Sequence, residues 1–384
     1  MSEGPAYSPT RASTVAAIVF FRVLDLVAIG LGGRVLSGRS CPWGCLQEGI
    51  SNWDAHWYSG IAAFGYSYIP GTDSNAAFFP AFPLLMRWGA PLFGGNYLWS
   101  GLAVSLLASV AALVFLVRLV RADFGTPAAR RSAILLSAAP TAFFFALPYA
   151  DALLLMLCVI SIFAARRRRW LSATLLAGLA GTVRVTGALL VIPLLWEFCE
   201  QNSWRVREVF TARSLRRLLL LAIAPLGIVA YMIWLQIRFS EPLAFFKAQL
   251  DGWPHRTTWL LRPVWDTGVE LTRPGKHLGG LRPDLYWSYA LDIAVLVAAA
   301  VLFVTAMRRR MPGVYLLWWG VALIFPLMSG TTHSFARYTL VAFPLYVAAA
   351  LVLRRRAAFL GVASASLVLQ LVLARAHGMG WWVG

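Results

Sequence analysis

The stretch DALLLMLCVISIFAARRRRWLSATLLAGLAGTVR, running from Asp151 to Arg184, decides how this chain folds. No charged residue interrupts the run between Asp151 and Arg166, four consecutive arginines follow, and a second apolar run begins at once and closes on Arg184. A helix at a protein–water boundary carries charge on its wet face. Neither run does, so both face something other than water.

The same alternation recurs along the chain. Apolar stretches are separated by compact basic groups: Arg118, Arg121, Arg130 and Arg131; Arg166 to Arg169; Arg205 to Arg217; Arg308 to Arg310; Arg354 to Arg356. Hydrophobic residues make up 59% of the 384 and charged ones only 13%, about half of what a soluble surface requires. Mean hydropathy is +0.68. A polytopic all-α membrane protein is the fold class these values define. The net charge of +18 is not a nucleic-acid footprint, because the basic residues form short clusters between spans. That is the pattern that sets topology and meets anionic lipid, so membrane lipids are expected partners and nucleic acid is not.

Spacing of the apolar runs predicts about eleven membrane passes. They cover residues 13–31, 98–117, 132–147, 151–165, two short passes within 170–198, then 218–235, 289–307, 313–329, 338–353 and 358–373. Treating 170–198 as two half-length passes that meet near Arg184 brings every compact arginine cluster to one side, the cytosol. It also spares Arg184 the cost of mid-bilayer burial, about 2.5–3.5 kcal/mol on insertion scales. Residues 1–384 then form a single membrane domain in a bacterial plasma membrane, with a disordered cytoplasmic tail over 1–12 and no evident signal peptide. Outer segments cover residues 32–97 and 237–288. Cys41 and Cys45 share the first of these, where an oxidising compartment permits a local disulfide that nothing requires.

With this topology the unusual polar residues collect on the outer face: Asp54, His56, Asp151, Arg184, Lys247, His255, His333 and Arg337. In the first outer segment Trp53, Trp57, Ile61 and Phe64 recur at three- and four-residue spacing, which predicts an interfacial helix with Asp54 in its first turn. A carboxylate there is favoured by the helix dipole whether or not it has a further role. His56, two residues on, points away from Asp54; substrate contact and interfacial packing are equally open for it. Arg337 and Arg184 suit a phosphate, since arginine presents a planar fork of donors, although a snorkelling anchor explains Arg337 equally well. His333, four residues before Arg337, would share its face on a helical turn. Arg22 and Asp25, three apart in the first span, read as a structural ion pair, and Lys247, Trp253 and His255 as a solvated loop.

Five blocks, in order, resemble a known family. They are Trp53-Asp54 with Ile61-Ala62 and Gly65-Tyr66; Phe78-Phe79-Pro80-Ala81-Phe82-Pro83-Leu84; Ala139-Pro140 and Phe143 with Tyr149-Ala150-Asp151-Ala152-Leu153; Arg168-Arg169-Trp170 with Gly181-Thr182-Val183-Arg184 and Gly187; and Arg337-Tyr338 with Phe343-Pro344. This pattern is similar to the PIG-V-like mannosyltransferases, the GPI-anchor second mannosyltransferases and their bacterial relatives. The resemblance implies a GT-C type fold and transfer of mannose from a polyprenyl-phosphate donor to a lipid or glycan acceptor on the outer face, by an inverting single displacement. It also implies an essential acid at Asp54; taken with the topology, the substrate contacts expected beside it are His56, Asp151, Arg184, His333, Arg337 and Tyr338. The family's glutamate in the third block is aspartate here, one methylene shorter, and the longer outer loops of the eukaryotic members are missing. No metal site is expected, since a lone acid offers Mg²⁺ less than the one or two carboxylates it usually takes; a divalent ion, Mg²⁺ or Mn²⁺, stays open as a cofactor. Two other readings remain: a GT-C enzyme for another sugar or a protein acceptor, and a transporter or flippase of a lipid-linked substrate.

Overall fold

The computed structural model describes residues 11–38, 42–205, 211–253, 258–273 and 283–383. They form helices and short 3₁₀ turns, with no strand among them. The helices, in chain order, are α1 (Arg11–Ser37), α2 (Pro42–Ile50), α3 (Asp54–Phe64), α4 (Ala81–Gly89), α5 (Tyr97–Ser137), α6 (Asp151–Arg166), α7 (Trp170–Gly181), α8 (Val185–Ala188) and α9 (Val191–Gln201). They continue with α10 (Ala212–Leu221), α11 (Leu226–Phe239), α12 (Ala244–Gly252), α13 (Arg262–Thr272), α14 (Pro283–Arg308), α15 (Gly313–Leu327), α16 (Phe335–Tyr338), α17 (Pro344–Val352) and α18 (Arg356–Gly378).

Five stretches among the described residues are long and apolar enough to cross a membrane: Thr14–Ser37, Tyr97–Ser137, Ser214–Phe239, Leu285–Arg308 and Arg356–Gly378. The other expected passes are built from shorter pieces. Helix α7 has 12 residues and so measures about 18 Å, well short of a hydrocarbon core of about 30 Å. The break between the two half-length passes falls where it was expected: α7 stops at Gly181, and Arg184 has extended backbone before α8.

One expectation needs correction. Residues 98–117 and 132–147 are separate spans as expected, but they meet at a sharp break at Gly125 inside α5 instead of a longer loop, and the second helical segment stops at Ser137, short of residue 147. That glycine has φ 83 and ψ 169, a conformation that only a residue without a Cβ adopts at little cost. Pro127, just beyond, restarts the helix with its ring in the first turn, where a missing N–H goes unnoticed. Helix then ends at Ser137, and residues 138–150 continue as turns and the 3₁₀ segment Ala142–Ala146, buried except for the half-buried Pro140. Irregular backbone is tolerated at this depth because surrounding helices cover it.

Two further polar contacts lock the bundle. Arg22 and Asp25 form the expected buried ion pair, 3.3 Å apart. Gln370 Nε2 donates to Asp25 at 2.8 Å, and Arg22 donates to the carbonyls of Ser137, at 2.9 Å, and of Ala142. The pair therefore clips α1 to α18 and to the end of α5. At the lower end of α6, Arg166 meets Asp123 at 2.9 Å and Glu197 at 3.3 Å, while Tyr315 donates to Asp123 at 2.6 Å. This joins α5, α6, α9 and α15 around the arginine quartet.

Helix α6 thus has Asp151 at one end and Arg166 at the other, separated by about 22 Å. Ala81 N–H donates to Thr182 O at 2.9 Å, which ties the segment after α3 to the break beside Arg184, at the Asp151 end. In a cysteine-less background, Thr72→Cys and Arg168→Cys, both exposed positions, are expected to react with an impermeant maleimide from opposite sides of sealed vesicles. Labelling of both from one side would overturn this arrangement.

Candidate functional site

Four segments far apart in sequence converge at the Asp151 end. Helix α3 brings Asp54 in its first turn, as expected. The turn Pro148–Ala150 delivers Asp151 to the start of α6, the break after α7 supplies Arg184, and the short α16 supplies Arg337. Arg337 is the centre. Its Nη1 lies 2.8 Å from Asp54 Oδ2, and its Nε and Nη2 donate to Asp151 Oδ2 at 3.1 and 2.8 Å. Arg184 Nη1 donates to the other oxygen of Asp151 at 3.1 Å. The result is one chain, Asp54–Arg337–Asp151–Arg184, with two negative and two positive charges.

Burial grades along this chain. Asp151 is 0% exposed and Arg337 3%, whereas Asp54 is 18% and Arg184 19% exposed. The inner pair is structural in its surroundings and the outer pair can be reached. Arg337 lies 4.7 Å from the ring centres of both Phe144 and Tyr149, and Arg184 lies 5.3 Å from that of Tyr338; such faces attract a guanidinium. Burial disfavours the charge of both arginines, but Asp151 beside both and Asp54 beside Arg337 outweigh it. The pKa of each stays above the ordinary arginine value.

Several residues that sequence reasoning did not single out hold these groups in place. Tyr149 Oη donates to Asn52 O at 2.9 Å and Ser105 Oγ to Tyr149 O at 3.0 Å, fixing the Pro148–Ala150 turn against the segment leading into α3. Asp292 accepts the Ala336 N–H at 2.7 Å, and Thr141 and Thr339 donate to the Ala336 carbonyl at 3.0 and 2.7 Å. These bonds orient α16 and so Arg337. Asp292 had a legible signal: an acid inside an apolar span is expensive and needs a reason.

The remaining candidates are placed differently. His56 is exposed on α3, turned from the buried Ala55 and Tyr58. The buried face of α3 is Ala55, Tyr58, Ile61 and Ala62; of the expected aromatic stripe, Phe64 is exposed and Trp57 stacks on Phe78 at 5.7 Å. His333 does not share a helical turn with Arg337. Helix α16 begins only at Phe335, Ser334 before it has φ 67, and the His333 ring stacks on Trp382 at 5.2 Å. Lys247 pairs with Glu241 at the rim of a cleft of about 380 Å³, and Trp253 packs against Trp57 and Phe78. His255 and Cys41 lie outside the described residues. Among the described residues no three His, Cys, Asp or Glu side chains converge as a metal site.

The backbone superposes on ArnT from Cupriavidus metallidurans bound to undecaprenyl phosphate with a TM-score of 0.52 and 16% sequence identity, over 95% of this chain and 64% of that one. For the oligosaccharyltransferase of Archaeoglobus fulgidus in the apo form the TM-score is 0.50 and the identity 14%, over 94% and 56%. The chain therefore has a GT-C type fold, all-α and polytopic, as expected. Residues 77–234 match the family described as dolichyl-phosphate-mannose-protein mannosyltransferase. The chain is similar to GPI alpha-1,6-mannosyltransferase 2 of Homo sapiens, 31% identical over 218 residues, 50% of this chain and 43% of that protein. It is similar also to that of Rattus norvegicus, 33% identical over 313 residues, 74% and 62% respectively. The resemblance carried by the five sequence blocks is borne out, and the chain spans less than two thirds of the length of these relatives.

Removing Arg337 leaves Asp151 buried and only partly compensated. Arg337→Met is expected to lower stability in detergent by about 3–5 kcal/mol, whereas Asp54→Asn, at an accessible carboxylate, costs a small fraction of that. Thermal unfolding followed by tryptophan fluorescence compares them; equal losses would show that Arg337 is not the centre of the cluster.

Proposed function

We propose that this protein is a membrane mannosyltransferase. On this reading it moves a mannosyl group from a polyprenyl-phosphate donor to a hydroxyl of a lipid or glycan acceptor at the extracytoplasmic face. The observation that carries the reading is the chain Asp54–Arg337–Asp151–Arg184 at the end of the bundle opposite the arginine quartet. The concentration of basic residues at the other end supports a cytosolic position for that end, and hence an extracytoplasmic one for the site. The names of the relatives support mannose as the sugar.

The reaction needs a base for the acceptor hydroxyl and positive charge for the leaving phosphate. Asp54 is the accessible carboxylate and serves as base. Arg184, the accessible guanidinium, has only its Nη1 directed at Asp151 and offers the rest of its fork to phosphate oxygens. Arg337, whose Nε, Nη1 and Nη2 are all directed at carboxylates, holds Asp54 in place and adds its field, while the Tyr338 ring lies against Arg184. The acceptor oxygen attacks the anomeric carbon, its proton passes to Asp54, and the bond from that carbon to the phosphate oxygen breaks with inversion. The electron pair leaves on the phosphate. Charge balances: the cluster goes from neutral to +1 as the donor phosphate goes from −1 to −2.

With purified protein in liposomes and radiolabelled polyprenyl-phosphate mannose, Asp54→Asn is expected to insert and fold normally but transfer on the order of 10²–10⁴-fold more slowly. Arg184→Ala is expected to raise the donor KM more than it lowers kcat. Movement of labelled donor across the bilayer without any transfer would instead favour a flippase, and near-wild-type turnover by Asp54→Asn would remove Asp54 from the chemistry.

A further inference from the structure

The two segments that hold the Asp54–Arg337 pair share an unusual feature. Trp53, immediately before Asp54, has φ 56 and ψ −120, and Ser334, three residues before Arg337, has φ 67 and ψ 16. Residues with side chains hold such backbone only where the surroundings over-determine it. One side chain meets both segments. The indole of Trp382, in the stretch after α18, lies 5.1 Å from the Trp53 ring at 78° and stacks on the His333 ring at 5.2 Å and 15°. It is buried. The rings it touches belong to the residue before Asp54 and to the residue before Ser334.

The path to this position is equally constrained. Gly378, which ends α18, packs against the carbonyl of Ile29 and the backbone of Gly32 on α1, and Gly49 on α2 closes on the same carbonyl, so a Cβ at any of these would collide. Helix α18 is thereby pressed onto α1 and α2 at its last turn. There the carbonyl of His377 accepts from Asn52 Nδ2 at 2.9 Å, and the buried His377 ring packs 5.6 Å from Phe144 and 6.1 Å from Tyr149, the two rings that flank Arg337. Residues 379–383 leave from this anchored point.

We propose that Trp382 is a positioning residue, a wedge that sets the spacing between the Asp54 segment and the Arg337 segment through its contacts with Trp53 and His333. It also gives His333 a role that the sequence did not suggest: its ring is a stacking platform for this wedge. The inference rests on the reading of Asp54 and Arg337 as the groups that act on substrate, and its effect is on geometry at the reacting centre, where small displacements are expensive in rate.

The test compares Trp382→Phe, which keeps an aromatic face, with Trp382→Leu, which keeps apolar bulk without one, in the full-length protein in liposomes. Phe is expected to preserve activity. Leu is expected to melt at the same temperature as Phe and keep its donor KM, with kcat lower by roughly ten- to a hundredfold. In an Asp54→Asn background the Leu substitution is expected to add no further loss. Equal kcat for Phe and Leu, a parallel loss of melting temperature and activity, or a full additional loss in the Asp54→Asn background would each overturn the proposal. Full activity of Asp54→Asn alone would instead overturn the assignment of the base, whatever Trp382 does.

Discussion

A guanidinium that is 3% exposed among apolar helices has to be met by anions, and Arg337 is met by two. Stripping a charged group of water costs several kcal/mol, and geometry alone decides whether its partners return that energy. Here three of its nitrogens are directed at carboxylate oxygens and its faces at two aromatic rings. Once that cation is fixed, Asp54 and Asp151 are fixed with it, and through Asp151 so is Arg184. Helices α3, α6 and α16 and the break after α7 must then meet at one point. The short helices follow from this demand: a full-length span at α7 would carry Arg184 past its partner instead of stopping beside it.

Polarity along α6 separates the two ends of the molecule. At Asp151 the charges balance and part of the cluster is accessible; at Arg166 one arginine holds two acids beside a surface crowded with further arginines. The second cluster braces α5, α6, α9 and α15 where no chemistry is proposed. A neutral, preorganised set of two acids and two arginines is suited to a reaction in which a proton arrives as a phosphate gains charge, because neither the resting cluster nor the product carries a large unbalanced charge. Dipoles fixed in advance need not reorganise during the reaction.

Much of this was legible in sequence because it depends on local pattern. Apolar runs with arginines between them define spans, and spacing in the first outer segment defines a helix that opens on Asp54. Arg184 marked a break because a lone cation in an apolar run needs an exit. The sharp join at Gly125 was not legible, since a glycine two residues before a proline is as compatible with a longer loop as with a tight break between helices. The irregular stretch 138–147 was read as helix because burial, not periodicity, sustains it. His333 was placed with Arg337 on the assumption of continuous helix, which the left-handed Ser334 breaks. Asp292, Tyr149 and Trp382 act across separations of 44 to more than 300 residues, as in the bond from Ala336 to Asp292 and the contact between Trp382 and Trp53. No spacing rule reaches that far.

Where the donor's phosphate sits is the most direct question to put to this arrangement. A structure determined in nanodiscs with bound polyprenyl phosphate should show the phosphate within hydrogen-bonding distance of Arg184, beside Asp54, with Arg337 still bridging the two acids. A phosphate resting at Arg166 among Asp123 and Glu197, or lipid density that leaves the Asp54–Arg337 end empty while the protein is active, would show that the functional end of the molecule has been misassigned.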